Sequence, residues 1–292
     1  MNKIFIFALA LASVGAMQAE SIKEGRLSNV VRLTNDGGRY ENARWSPDGK
    51  RIAFTNYGYD NLYVIDSDGS NFKQVSRQAG VGFGYEWGKD SKQIVATERI
   101  KADKTKGKAR RSSVWSIGVD GKRERISGER TRLSAADKRS NARYVAIVQP
   151  GSVTLSCEPA GLYVIDSNGS KKLVNKGASF CAVLSPDGKK VAFNHGNNVC
   201  VMAIDGSGKK VLDRGFNPCW VNNSQIVYEK STDNGHTYTS SDIFMINVDG
   251  SRRKALTTTD NRMEMCPSVS ADGNKIVFTS FNDGQVYVAD FK

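Results

Sequence analysis

Histidine is nearly absent from this chain: its 292 residues include only His195 and His236. That scarcity speaks against a metal held by several imidazoles and leaves little for general-base chemistry near neutral pH. No Gly-x-Ser-x-Gly elbow occurs, so the nucleophile of an α/β-hydrolase has no seat here. No Cys-x-x-Cys pair occurs either, which removes the usual zinc and thioredoxin-like redox motifs. Proline is sparse, at 6 residues against 28 glycines, a balance that suits many tight turns between short strands.

Long apolar runs are also missing, with one exception at the start. Lys3 precedes an apolar stretch from Ile4 to Met17, and the small residues Ala16 and Ala19 follow or close it. This is the pattern of a secretory signal peptide, too short for a comfortable bilayer span. No cysteine ends the run, so a lipid anchor is not expected. Residues 1–19 are therefore read as a signal peptide and 20–292 as the mature chain, periplasmic or secreted. The five cysteines (Cys157, Cys181, Cys200, Cys219 and Cys266) then enter an oxidising compartment, with an odd count that leaves at least one unpaired. A Cys157–Cys181 bridge between neighbouring repeats is one expectation, and buried free thiols are the alternative, above all for Cys200 inside a strand.

What the sequence has in abundance is repetition. The clearest unit is Ala43-Arg-Trp-Ser-Pro-Asp-Gly-Lys-Arg-Ile-Ala-Phe54, followed by Leu62-Tyr-Val-Ile65 and the turn Asp68-Gly69. It returns at Val183–Phe193 and Val269–Phe278, more weakly at Trp87–Val95 and Trp220–Tyr228, and in most degraded form from Leu133 to Ile147. The second half recurs at Val114–Ile117, Leu162–Ile165, Val199–Met202, Ile243–Ile246 and Val286–Val288. Turn glycines Gly69, Gly121, Gly169, Gly208 and Gly250 stand 52, 48, 39 and 42 residues apart. Short β-branched and aromatic runs bounded by Gly, Asp and Asn are strands, and Asp-Gly suits a tight hairpin. Each unit thus supplies four strands, and a four-stranded unit repeating every ~40–50 residues is a propeller blade. Counting units predicts an all-β, six-bladed β-propeller. Its last blade lacks an outer strand, and Val31-Arg-Leu-Thr34 resembles the blade-ending Lys254-Ala-Leu-Thr257. The N-terminal strand is therefore expected to complete the last blade and close the ring.

Trp-Ser-Pro-Asp-Gly-Lys, then Ile-Ala-Phe, then a strand ending in Asp-x-Asp-Gly, resembles the WD-repeat-like unit of TolB-like propellers, over roughly residues 26–292. The segment between Ala19 and Val30 is too short for the α/β domain that precedes the propeller in TolB itself. The resemblance implies an exported propeller whose face binds other proteins, and it carries no catalytic residue across.

Within a propeller, the Ser-Pro-Asp-Gly and Asp-Gly turns share one face, while second-to-third-strand loops and blade connections share the other. The latter set varies in length: Thr97–Ser113, Gln149–Gly161 and Lys230–Asp242 are expected as long loops, Asn194–Asn198 as a short one. Variable loops on a rigid scaffold are where binding resides. Charge adds a second pointer. Residues 99–143 carry fifteen Lys or Arg against five Asp or Glu, a net +10 of the chain's +12. The densest stretch holds Lys104, Lys106, Lys108, Arg110 and Arg111, and these are the candidate partner-binding residues. An anionic partner, an acidic protein or a glycan, fits that charge. Nucleic acid is disfavoured by export and by the lack of interleaved aromatics. The Asp66–Asn71 stretch lacks the closing Glu of a calcium loop, so no metal or cofactor is expected. The expectation is a monomeric binding platform in the cell envelope. The alternative is a carbohydrate-active lyase or hydrolase working on an acidic polysaccharide at the same face.

Overall fold

A computed structural model of the chain describes residues 25–82, 84–100, 111–125, 153–158, 160–166 and 170–292, all of them strand, turn or loop. β1 (Leu27–Arg32) comes first. Blade one holds β2 (Tyr40–Trp45), β3 (Arg51–Asn56), β4 (Leu62–Asp66) and β5 (Lys73–Ser76). Blade two holds β6 (Glu86–Trp87), β7 (Gln93–Ile100), β8 (Arg111–Gly118) and β9 (Arg123–Arg125). Blade three shows β10 (Thr154–Glu158), β11 (Gly161–Ile165) and β12 (Lys171–Lys176). Blade four holds β13 (Ser179–Leu184), β14 (Lys190–His195), β15 (Asn198–Ala203) and β16 (Lys210–Arg214). Blade five holds β17 (Phe216–Asn222), β18 (Gln225–Asp233), β19 (Tyr238–Asn247) and β20 (Lys254–Ala255). Blade six holds β21 (Glu264–Val269), β22 (Lys275–Ser280) and β23 (Val286–Phe291), with β1 at its outer edge. Six antiparallel sheets in chain order make a six-bladed β-propeller.

Strand alternation explains the core. In β3, Ile52, Ala53 and Phe54 are all fully buried, because the two faces of each blade are covered by two neighbours. Ile52 and Phe54 pack on Val277, Val286 and Val288 of blade six, while Ala53 joins Tyr85, Trp87 and Ile94 of blade two. The same division recurs between blades four and five, where Ala192 and Val201 meet Trp220 and Tyr228.

The Ser-Pro-Asp-Gly turn is built the same way each time. Ser46 Oγ donates to Asp48 Oδ1 at 2.6 Å, the Lys50 amide donates to the same oxygen, and Gly49 takes φ 67°. Ser185 with Asp187, and Ser270 with Asp272, repeat the 2.6 Å bond. That donated hydroxyl is the main reason the Asp187 and Asp272 carboxyls titrate below the ordinary range.

At the ring's seam, β1 runs antiparallel to β23, with Leu27 opposite Phe291 and Arg32 opposite Tyr287. Arg26 and Lys292 exchange both backbone bonds, and the Leu33 amide donates to Val286 O at 2.8 Å. The buried Thr34 hydroxyl accepts the Val286 amide at 3.0 Å. Thr257 does the same for Ile243 at 2.9 Å in blade five, so the shared Leu-Thr dipeptide carries one local device twice.

Three expectations about loops change. Thr154–Glu158, expected within a long loop, is strand β10, paired with β11 from Thr154↔Ile165 to Glu158↔Gly161. Cys157 and Leu155 pack there against blade four, and that burial favours the strand. The Tyr144–Ile147 run expected as a strand lies outside the described residues. In blade five, Lys230–Asp242 is a β-ribbon, with Lys230↔Asp242 and Thr232↔Ser240 paired and a turn around Gly235. Cross-strand hydroxyl pairs, Ser231 to Ser241 at 2.9 Å and Thr232 to Ser240 at 2.7 Å, hold this polar ribbon as sheet. In blade two, β7 extends to Ile100 and β8 starts at Arg111, which shortens the expected loop at both ends.

The expected Cys157–Cys181 bridge is not formed, and all five cysteines are free thiols. Cys157 faces the core between blades three and four. Cys181 instead sits on an innermost strand and donates its thiol to Asn217 Oδ1 of blade five at 3.0 Å.

Candidate functional site at the loop-rich face

The innermost strands share a feature that their sequences hide. β2, β13, β17 and β21 each break register near their second or third residue, where Asn42, Cys181, Asn217 and Cys266 take φ of 55°, 50°, 51° and 53°. Gly84 takes φ 77° at the matching place before β6. A bulge there turns one extra residue out of the ladder and toward the propeller axis. The freed amides find partners on the preceding blade: Asn217 N donates to Asn194 Oδ1 at 3.0 Å, and Cys266 N donates to Glu229 Oε2 at 2.6 Å. Asn194 and Glu229 each stand one residue past the apolar run of a second strand, both buried.

These residues form a belt around the axis. Cys181 donates to Asn217 Oδ1, and Asn217 Nδ2 donates to Cys266 Sγ at 3.5 Å. Arg44 supplies a cation, with its Nε donating to Asn42 Oδ1 at 3.2 Å and its guanidinium 5.5 Å from the Tyr85 ring centre. Burial raises the Glu86 carboxyl above its usual range despite the opposing pull of Arg44. Burial likewise raises Glu229, with the Cys266 amide and the Asn217 side chain pulling the other way. The Cys181 thiol is pushed up to about 12, chiefly by burial, so it stays protonated at neutral pH.

A cleft opens beside this belt, at the loop-rich ends of the strands where blades six and one meet. Arg39, Tyr40, Glu41 and Tyr57 line it from blade one, and Met265, Cys266, Ser280 and Phe281 from blade six. The cavity itself is small, about 40 Å³. Glu41 Oε1 is fixed by the amides of Gly58 at 2.7 Å and Tyr59 at 2.9 Å, and burial raises its titration above the ordinary range. Arg39 donates to Phe281 O at 2.7 Å and lies 5.8 Å from the Phe281 ring centre. Three blades then contribute aromatic rings to the rim. Tyr238, on the blade-five ribbon, meets Phe281 edge-on at 5.3 Å and 81°, and Tyr57 meets it at 6.5 Å and 66°. Tyr57 is 63% exposed.

Of the residues singled out from sequence, Lys104, Lys106, Lys108 and Arg110 lie outside the described residues. Arg111 begins β8, its backbone opposite Ile100. His195 ends β14 with its Nδ1 3.3 Å from Asn175 Nδ2, and His236 lies exposed at the ribbon's turn. Among the described residues no three His, Cys, Asp or Glu side chains gather as a metal would require. The aromatic cleft was missed in the sequence, because Tyr57 stands more than 180 residues from Tyr238 and Phe281 and the three lie in different blades. The one signal available was the hydrophobic character of Tyr57 and Phe281 immediately after strands that had already ended.

No protein-family model matches the chain. No curated protein sequence matches it. Solved structures do share its fold. A protein assigned as TolB from Agrobacterium tumefaciens is 14% identical, with 90% of this chain and 97% of that one aligned and a TM-score of 0.55. A gluconolactonase from Xanthomonas campestris is 12% identical, with 92% of each chain aligned and a TM-score of 0.60. An oligogalacturonate lyase in complex with manganese is 15% identical, with 89% of this chain and 79% of that one aligned and a TM-score of 0.50. At such identities the likeness is one of fold, and one fold hosts binding proteins and enzymes alike.

Proposed function

We propose that this TolB-like propeller is an exported binding platform of the cell envelope, whose contact surface is the loop-rich face. The observation that carries this reading is the aromatic corner of Tyr57, Tyr238 and Phe281, assembled from blades one, five and six beside a small cleft that holds Arg39 and Glu41. Exposed aromatic rings with fixed polar groups beneath them are the anchor pattern of recognition sites. The apolar N-terminal run supports export, and the +10 segment from residue 99 to 143 supports an anionic envelope partner, an acidic protein or a glycan. In this reading Lys104, Lys106, Lys108, Arg110 and Arg111 steer the partner, and the aromatic corner anchors it.

The test is a pull-down from envelope extract. It compares the native protein with two variants: one with those five basic residues changed to Ser, the other carrying Tyr57→Ala and Tyr238→Ala. A partner retained by the native protein and weakened by either variant supports the platform and locates its surface. Equal retention by all three moves the contact surface off this face.

A further inference from the structure

We propose that Asn234 is a self-modification site, which the blade-five ribbon sets up to deamidate in the folded protein through a cyclic imide with Gly235. The products are aspartate and isoaspartate at position 234, and the reaction holds whatever the loop-rich face binds.

The sequence sets the nucleophile. Imide closure needs the next residue's backbone nitrogen to reach the side-chain carboxamide, and a glycine leaves that nitrogen unshielded. Asn-Gly occurs twice in the chain, at Asn168 and Asn234, and only the second lies within the described residues. Every residue from Thr232 to Ser240 is exposed, so water reaches the pair.

Folding supplies what a free dipeptide lacks. Gly235 takes φ 86° at the ribbon's turn, and its N–H donates to Asp233 Oδ1 at 2.9 Å. A carboxylate in that place can take the proton that the nitrogen must lose to attack. Asn234 Oδ1 in turn accepts the His236 and Thr237 amides, both at 3.0 Å. Two donors on one carbonyl oxygen draw electron density from Cγ. They also hold the negative charge that gathers on the oxygen as the nitrogen adds, as an oxyanion hole does. The ribbon keeps these groups in place, with the Asn234 amide donating to Thr237 O at 3.2 Å and Thr232 paired to Ser240 below the turn.

The atoms balance with water as the only co-reactant. Gly235 N bonds to Asn234 Cγ, and its proton passes by way of Asp233 to Nδ2, which leaves as ammonia when the Cγ–Nδ2 bond breaks. Water then opens the imide. Attack at Cγ gives aspartate with the original main chain, and attack at the backbone carbonyl carbon gives isoaspartate. Isoaspartate carries the main chain through Cβ and Cγ, one carbon longer, so the Asp233↔Tyr238 pair loses its register. That shift draws the Tyr238 ring away from Phe281, which it meets at 5.3 Å.

The experiment holds the purified protein at pH 8 and counts aspartate and isoaspartate at position 234 by peptide mass spectrometry. A synthetic peptide covering residues 230–242, in the same buffer, gives the rate that sequence alone supports. The folded protein is expected to convert roughly tenfold faster than the peptide, and Asp233→Asn to remove that advantage in the protein while leaving the peptide's rate nearly unchanged. Asn234→Gln, which cannot close the five-membered imide, should give no product. A folded protein no faster than the peptide overturns the proposal without recourse to any variant. So does an unchanged rate in Asp233→Asn whose urea midpoint matches the native chain. In the isoaspartyl form the NMR contact between the Tyr238 and Phe281 rings should be lost, and its persistence would sink the register shift.

Discussion

Thr34→Val tests the seam where it depends on a single atom. Thr34 is 3% exposed, and its Oγ1 is the acceptor for the Val286 amide, itself within a fully buried residue. Valine keeps the shape and removes the acceptor, so the Val286 N–H is left buried with no partner. Orphaning a buried donor costs about 1–3 kcal/mol, against which the added methyl returns only a fraction. In a chain of this size that lowers the melting temperature by about 2–5 °C. Urea unfolding followed by tryptophan fluorescence measures the loss, and amide exchange at Val286 shows where it falls. Thr257→Val removes the twin bond to Ile243 and should cost a similar amount. Only Thr34→Val, however, should speed exchange across both β1 and β23, because only that site joins the two chain ends. A cost below about 0.5 kcal/mol, with Val286 exchange unchanged, would refute the reasoning.

Three further outcomes follow from packing, titration and thiol chemistry. Gly82→Ala would place a Cβ 2.1 Å from Thr55 Cγ2, an overpacking worth about 1–3 kcal/mol, and Thr55→Ser in the same chain should recover part of it; equal stability of all three proteins would contradict the clash. Glu229 titrates above its ordinary value in the fold, so the folded chain binds the extra proton. Its contribution to stability is present below about pH 4.5 and lost as pH rises through the elevated value. Glu229→Gln should therefore gain stability relative to the native chain between pH 4.5 and 7.5, and urea midpoints showing the reverse order would overturn that sign. Finally, the unreduced protein unfolded in guanidinium should take up five alkyl groups from iodoacetamide, while the folded protein at pH 8 labels slowly at Cys181, whose thiol is held protonated by poor solvation among the surrounding blades. Three adducts by mass in place of five would establish a disulfide.

The blades were legible because each repeats a local rule. Ser-Pro-Asp-Gly closes its own turn through Ser46 and Asp48, and Ile52-Ala-Phe54 must be strand whichever neighbours cover it, so no distant residue is needed to read either one. The Leu-Thr dipeptide was legible for the same reason, since Leu33-Thr34 and Leu256-Thr257 fasten to a third strand in identical fashion. The blade-five ribbon was misread because its alternating hydroxyls look like a loop until Ser231 meets Ser241 and Thr232 meets Ser240. β10 was misread because its burial is supplied by blade four, over 30 residues downstream.

Sequence alone determined the repeat, the number of blades and the charge gradient along the chain, since hairpin turns and strand alternation act over a few residues. Tertiary structure alone decided the bulged belt of Asn42, Cys181, Asn217 and Cys266, and the cleft beneath Tyr57, Tyr238 and Phe281. Those groups come from separate blades, and they meet only because the chain's two ends pair and curl six sheets into a ring.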